Sequence, residues 1–200
     1  MGIRELLASE RLELVTLLRT LTAAEWETPS LCAGWQVRDV VGHLLSDDIG
    51  VPAYGAVLAR NGFSVDKTNA YLVRKARALS TEQLVDKLES SGGKLSKFSP
   101  TLVLADTVVH QQDIRRPLGR PRTISADRLR MVLDHPDPFA FPWKRTKGLR
   151  FVATDLDWAK GSGPEVRGPG EALVLAVGGR PVVLDELQGD GVAELRRRCG

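Results

Sequence analysis

Three prolines within His135-Pro-Asp-Pro-Phe-Ala-Phe-Pro-Trp143 divide this chain into two textures. No regular helix runs through them, because each proline lacks an N–H and its ring clashes with the preceding turn. Upstream, apolar residues recur at helical spacing. Downstream, short β-branched and apolar stretches alternate with glycine turns. The reading is a mainly α protein: a helical bundle over residues 1–135, a Pro-rich linker over 136–148 whose aromatics pack on the bundle, and a small α/β segment over 149–200.

The upstream helices are marked by periodicity and punctuation. Over residues 3–20, Ile3, Leu7, Leu14 and Leu18 form one stripe, with Leu6 and Leu17 beside it. Thr22 to Glu25 and Ser80 to Gln83 are capping-box patterns that start helices. From Val37, residues Val40, Val41, Leu44 and Leu45 give a broad apolar face that Gly50 and Pro52 end or kink. A helix over 65–78 follows a turn at Asn61-Gly62. A further one opens at Pro100 and stops at Pro117, and Ser125 caps another through Leu133. Downstream, residues 149–154 and 181–184 are expected strands, and 171–177 and 191–198 expected helices.

Composition excludes several classes. A net charge of +3 over 200 residues is too small to argue for nucleic acid. No apolar run approaches the roughly 20 residues that cross a bilayer. The N-terminus carries Glu5 and Glu10 among its apolar residues, unlike an export signal. Cys32 and Cys199 are then expected as reduced thiols in the cytoplasm. No Gly-rich phosphate loop or Gly-x-Ser-x-Gly elbow is present.

The chemistry-bearing residues are few. Of the three histidines, His43 borders an apolar helix face, and His110 follows Asp106 by four residues. An i, i+4 pair shares one helix face, and bundle interiors are a common place for metal sites built from facing helices. Two imidazoles and a carboxylate suit zinc or another late divalent ion, with a position left for substrate or water. The same residues are also readable as hydrogen-bonded, partly buried histidines. Asp113 orients His110, replaces Asp106 as ligand, or pairs with Arg115, Arg116 or Arg38. Asp47, four residues past His43, is a further acid to place, and Asp39 reads as a helix cap or the partner of a base. His135 reads as a surface residue. Cys32 stands just before the His43 helix, as an inert thiol or as a nucleophile activated by the helix start.

The run Trp26-Glu-Thr-Pro-Ser-Leu-Cys-Ala-Gly-Trp35-Gln-Val-Arg-Asp-Val-Val-Gly-His43, followed by Leu104-Ala-Asp106-Thr-Val-Val-His110-Gln-Gln-Asp113, resembles the actinobacterial mycothiol-dependent maleylpyruvate isomerase family. The tail from Leu149 to Ala172 resembles the small C-terminal part of these proteins. The family belongs to the DinB/YfiT-like metal-binding four-helix bundles. The resemblance implies one divalent ion, usually zinc, held by His43, Asp106 and His110, with aspartate at 106 where the characterised pattern has glutamate.

The resemblance also implies mycothiol as the thiol cosubstrate. Its thiolate adds to an activated double bond; rotation and elimination then give the trans isomer, or the adduct is released in an S-transfer. Arg38, Arg115, Arg116 and Arg167 are each readable as a base that matches a substrate carboxylate or as a structural or surface base. The expected partner is a small-molecule substrate, without nucleic acid or membrane, and a homodimer is compatible with such a bundle. Two other functions stay open: a non-catalytic small-molecule-binding or stress-response module, and a metal-dependent hydrolase.

Overall fold

The computed structural model describes residues 1–199, so the last position of the expected C-terminal segment, 200, lies outside the described residues. Twelve helices appear among the described residues. In chain order they are α1 (Ile3–Leu18), α2 (Ala23–Trp26), α3 (Val37–Leu44), α4 (Val51–Arg60), α5 (Val65–Ala76), α6 (Thr81–Ser90), α7 (Lys94–Phe98), α8 (Pro100–Arg115), α9 (Ala126–Asp134), α10 (Trp143–Thr146), α11 (Gly170–Val177) and α12 (Val192–Cys199). Three short strands, β1 (Arg150–Ala153), β2 (Ala159–Gly161) and β3 (Glu165–Gly168), complete the fold. No helix among the described residues is long and apolar enough to cross a membrane.

Backbone contacts divide the chain at Pro121/Arg122 into two compact units. In the first, α1, α3, α6 and α8 enclose one core, joined by Trp26 of α2. Leu14 and Leu18, Val37, Val40 and Val41, Leu84 and Val85, and Ile114 meet there, all nearly or wholly buried. The capping boxes form as the spacing predicts. Thr22 and Ser80 accept from the Glu25 and Gln83 N–H groups, and those side chains accept in return from the Thr22 and Ser80 N–H groups. Helix α3 is short because Leu45–Asp48 tighten into a 3₁₀ turn before Gly50. Helix α8 packs against α1, α3 and α7. It buries residues around most of its circumference, from Val103 to Ile114, as a central helix must.

Two contacts fix α3. Asp39, fully buried, accepts from Arg77 Nε and Nη2 at 2.8 Å each and from the Gln36 N–H at 3.1 Å. The acid both caps the helix and pairs with a base, the two roles its sequence position suggests. Gly42 lets α3 approach α5 closely: a Cβ there would lie 2.7 Å from the Ala76 Cβ. Gly42→Val should therefore cost about 1–3 kcal/mol by overpacking. Chemical unfolding followed by circular dichroism would measure this, and an unchanged midpoint would contradict the close approach.

The second unit runs from Arg122. Its sheet has the order β2-β1-β3, with β1 and β2 antiparallel (Phe151 opposite Lys160) and β1 and β3 parallel (Phe151 opposite Val166). Helix α11 is buried along nearly its whole length and packs on α9, so residues 126–134 group with this unit, whereas the sequence reading carries the bundle to 135.

Two local expectations change. Residues 181–184 are no strand: Pro181–Glu186 form a 3₁₀ turn that buries Val183 and Leu184. Pro181 has no N–H for a ladder, and the edge of β3 is met instead by Gln188, which exchanges two backbone hydrogen bonds with Arg167. The Pro-rich stretch contains two short turns, Pro138–Ala140 and α10, and its aromatics Phe139, Phe141 and Trp143 are exposed rather than packed.

Candidate metal centre

Helices α3 and α8 bring His43, Asp106 and His110 together. His43 lies one residue before the end of α3, among the buried Val40, Val41 and Leu44, so its ring points inward. Asp106 and His110 are one turn apart on α8, with Ala105, Thr107, Val108 and Val109 buried around them. His43 Nε2 stands 3.4 Å from Asp106 Oδ1, and His110 Nε2 stands 3.3 Å from the same oxygen. The three atoms lie within 4.8 Å of one another. The two imidazoles meet edge to face, with centroids 4.7 Å apart.

These separations are long for imidazole–carboxylate hydrogen bonds and compatible with a shared cation. A charge-assisted imidazole–carboxylate bond is about 2.7–2.9 Å long. Atoms held about 2.0–2.1 Å from a tetrahedral zinc stand roughly 3.3–3.4 Å apart. The two contacts to Asp106 match the second distance. Nδ1 of His43 is buried with no hydrogen-bond partner, so the polar bonding of that ring rests on Nε2. The Asp106 side chain is 24 % exposed, against 10 % and 13 % for the two histidines. The cluster is therefore least covered on the aspartate side.

The other nitrogen of His110 behaves differently. Nδ1 lies 2.8 Å from Asp113 Oδ2, an ordinary strong hydrogen bond to a fully buried side chain. With Nδ1–H donated to Asp113, Nε2 keeps its lone pair for an ion, as outer carboxylates do for ligating histidines. The two acids thus occupy different sides of His110: Asp106 lies at Nε2, near His43, and Asp113 at Nδ1.

Other candidate residues are engaged elsewhere. Asp47 pairs with Arg11 and accepts from the Ser96 N–H at 2.7 Å. Arg38 pairs with Glu27, and Arg167 with Glu165. Arg115 donates to the Glu13 and Arg120 carbonyls. His135 is exposed at the end of α9. Trp35, which no local pattern singles out, sits against His43 with ring centroids 5.4 Å apart. Only its place in the loop before the His43 helix hints at this.

The charges of the metal-free cluster are set by mutual proximity. Burial opposes charge on Asp106, but the positive imidazoles of His110 and His43 outweigh it and hold the carboxyl well below its usual range. Burial likewise opposes charge on His110, and the Asp106 charge with bonds to Asp106, Asp113 and Cys32 pushes its pKa well up. His110 thus contributes stability below its unfolded pKa of about 6.5, lost as pH rises through the raised value. Asp106 contributes above about 3.9, lost as pH falls through the lowered value. Between those limits a proton on His110 competes with any cation. Zinc affinity should fall as pH drops, with proton release on binding, measurable by titration calorimetry in buffers of different ionisation enthalpy. An affinity flat between about pH 6 and 8 would contradict this coupling.

Comparison with known proteins bears on the fold and on the N-terminal part of the chain. Residues 7–97 match the family model described as the mycothiol maleylpyruvate isomerase N-terminal domain, a span that holds His43 but ends before Asp106 and His110. Two crystal structures share the fold: that of mycothiol-dependent maleylpyruvate isomerase and that of a histidine-to-alanine mutant of that enzyme. Each is 15 % identical, with 95 % of this chain and 93 % of the other covered at a TM-score of 0.62. No curated protein matches the sequence. Residues 7–97 are thus similar to the mycothiol maleylpyruvate isomerase N-terminal domain, and the chain as a whole shares the fold of the two crystal structures.

Proposed function

We propose that this chain is a metal-dependent enzyme that uses mycothiol as a low-molecular-weight thiol, for isomerisation of a maleylpyruvate-like substrate or for thiol S-transfer. The observation that carries the reading is the convergence of His43 Nε2, Asp106 Oδ1 and His110 Nε2 within 4.8 Å of one another, with both contacts to Asp106 near the edge length of a zinc tetrahedron. His43 and His110 supply neutral nitrogen donors and Asp106 one negative charge. Asp113 fixes the ring and tautomer of His110. A divalent ion in this cradle supplies Lewis acidity, which lowers the pKa of a thiol or water at its open position. The partly exposed edge of Asp106 is where substrate and thiol approach. The side of His43 next to Trp35 offers an apolar wall.

The test is turnover of maleylpyruvate by zinc-loaded protein with and without mycothiol, followed by the loss of the cis enol absorbance. The expected result is isomerisation that requires both thiol and metal and stops on chelation. Loss of substrate without added thiol would favour hydrolysis by bound water instead. Absence of any thiol-dependent reaction, including adduct formation with electrophiles, would contradict the enzymatic reading.

A further inference from the structure

The loop between α2 and α3 touches the outer side of both imidazoles. Trp35 lies against His43. Three residues earlier, the Cys32 thiol donates to Asp113 Oδ2 at 3.1 Å, the same oxygen that lies 2.8 Å from His110 Nδ1. The loop is held to shape by its own bonds. Pro29 and Gln36 form a bridge, the Cys32 N–H donates to Ser30 Oγ at 3.1 Å, and Ser30 Oγ donates to the Trp35 carbonyl at 2.9 Å. Gly34 turns the chain at φ +77, a conformation that suits glycine. The Leu31 N–H donates to the Asp113 carbonyl at 3.1 Å, which ties the loop to the end of α8 beside the Asp113 side chain.

Resting on the metal reading above, we infer that Cys32 is a positioning residue of the metal centre, whose thiol holds Asp113 in place so that Asp113 holds His110. Cys32, His110 and Asp113 also form a group with metal-ligating atoms, but its distances argue against an ion there. A sulfur and an oxygen on one tetrahedral zinc, at about 2.3 and 2.0 Å, stand roughly 3.5 Å apart. Sγ also stands 3.5 Å from His110 Nδ1, but the 3.1 Å between Sγ and Oδ2 and the 2.8 Å between Nδ1 and Oδ2 are hydrogen-bond lengths, both shorter than the edges of a zinc tetrahedron. The two faces of His110 therefore do different work: Nε2 faces the ion, and Nδ1 faces a carboxylate braced by a thiol. A cysteine engaged in this way acts through its S–H, neither as a nucleophile nor as a ligand.

The test compares zinc affinity, by competition with a chromophoric chelator, in wild type, Cys32→Ala, Cys32→Ser and Asp113→Asn. Loss of an outer partner typically weakens metal binding about 10–100-fold. That loss is expected for Cys32→Ala and Asp113→Asn, whereas Cys32→Ser, which keeps a donor, should stay near wild type. The cobalt-substituted wild type should show no thiolate-to-metal charge-transfer band. If Cys32→Ala does not fold, the serine and asparagine variants still decide: equal loss in serine, or none in asparagine, would overturn the relay. Equal affinity in alanine and wild type, or a charge-transfer band that disappears in Cys32→Ser, would overturn the inference alone. A wild type that binds no zinc or cobalt would overturn the metal reading beneath it.

Discussion

Replacing His110 with alanine should leave the purified protein unable to retain zinc, with thiol-dependent turnover lost alongside the metal. Two things fail at once in this variant. One of three donors disappears, and Asp113 loses the Nδ1–H that it accepts at 2.8 Å. The affinity loss should exceed the roughly 100-fold that an outer partner accounts for. His43→Ala should have a comparable effect on metal retention while sparing the Asp113 contact. The metal-free cluster adds a diagnostic consequence. Asp106 is held ionised largely by the charge of His110 and His43, so His110→Ala leaves a half-shielded carboxylate with one imidazole. The metal-free variant should lose the stability that the wild type gains above the unfolded carboxyl pKa of about 3.9. Elemental analysis and a pH series of thermal unfolding would read both effects. Full zinc retention in His110→Ala would contradict its role.

Removing Arg77 should cost the fold more than removing Asp39, although the two form one pair. The asymmetry follows from exposure: the Asp39 side chain is fully buried, while that of Arg77 is 54 % exposed. Burial works against the Asp39 charge, and the Arg77 guanidinium with the Gln36 N–H more than offsets it, so its pKa sits below the usual value. In Arg77→Ala the buried carboxylate keeps only that N–H among these partners. Breaking a pair in this way leaves a buried charge uncompensated and is destabilising, and the exposure of the guanidinium softens the loss. In Asp39→Asn the guanidinium simply rehydrates, so the loss should stay at about 1.5 kcal/mol, the low end for hydrogen bonds to a charged group. Asp39 anchors the start of α3 one turn before His43, so Arg77→Ala should also loosen metal binding. Urea unfolding of both variants tests the ordering. The Arg77→Ala deficit should shrink as pH falls through the Asp39 pKa, because the carboxyl then protonates. A larger loss in Asp39→Asn than in Arg77→Ala would contradict this account of the pair.

Much of the bundle is legible in local sequence because its signals are local. Val37, Val40, Val41 and Leu44 declare one buried helix face, and Thr22 and Ser80 begin helices through bonds to residues three positions on. The i, i+4 spacing of Asp106 and His110 survives in any α-helix, and a neighbouring apolar face is enough to aim His43 inward. Other features depend on partners far along the chain. Asp106 and Asp113 both share a face with His110, and only distances separate the acid near Nε2 from the acid near Nδ1. Trp35 and Cys32 acquire their roles from a loop folded against α3 and α8, where no periodicity operates. In the second unit, Pro181-Val-Val-Leu184 has strand composition but forms a turn, since the free edge of β3 is met by Gln188. Strand β2, Ala-Lys-Gly, is an exposed edge with no alternation to betray it.

The central claim is that one cation sits between α3 and α8, bound by two imidazoles and one aspartate. X-ray absorption at the zinc edge of the loaded protein, with no thiol added, addresses it most directly. The predicted spectrum has a nitrogen/oxygen shell at about 2.0–2.1 Å with imidazole outer scattering, at one zinc per chain, and lacks the sulfur shell expected near 2.3 Å from a cysteine ligand. Protein that takes up no zinc, or zinc with a sulfur neighbour, would contradict the assignment of His43, Asp106 and His110.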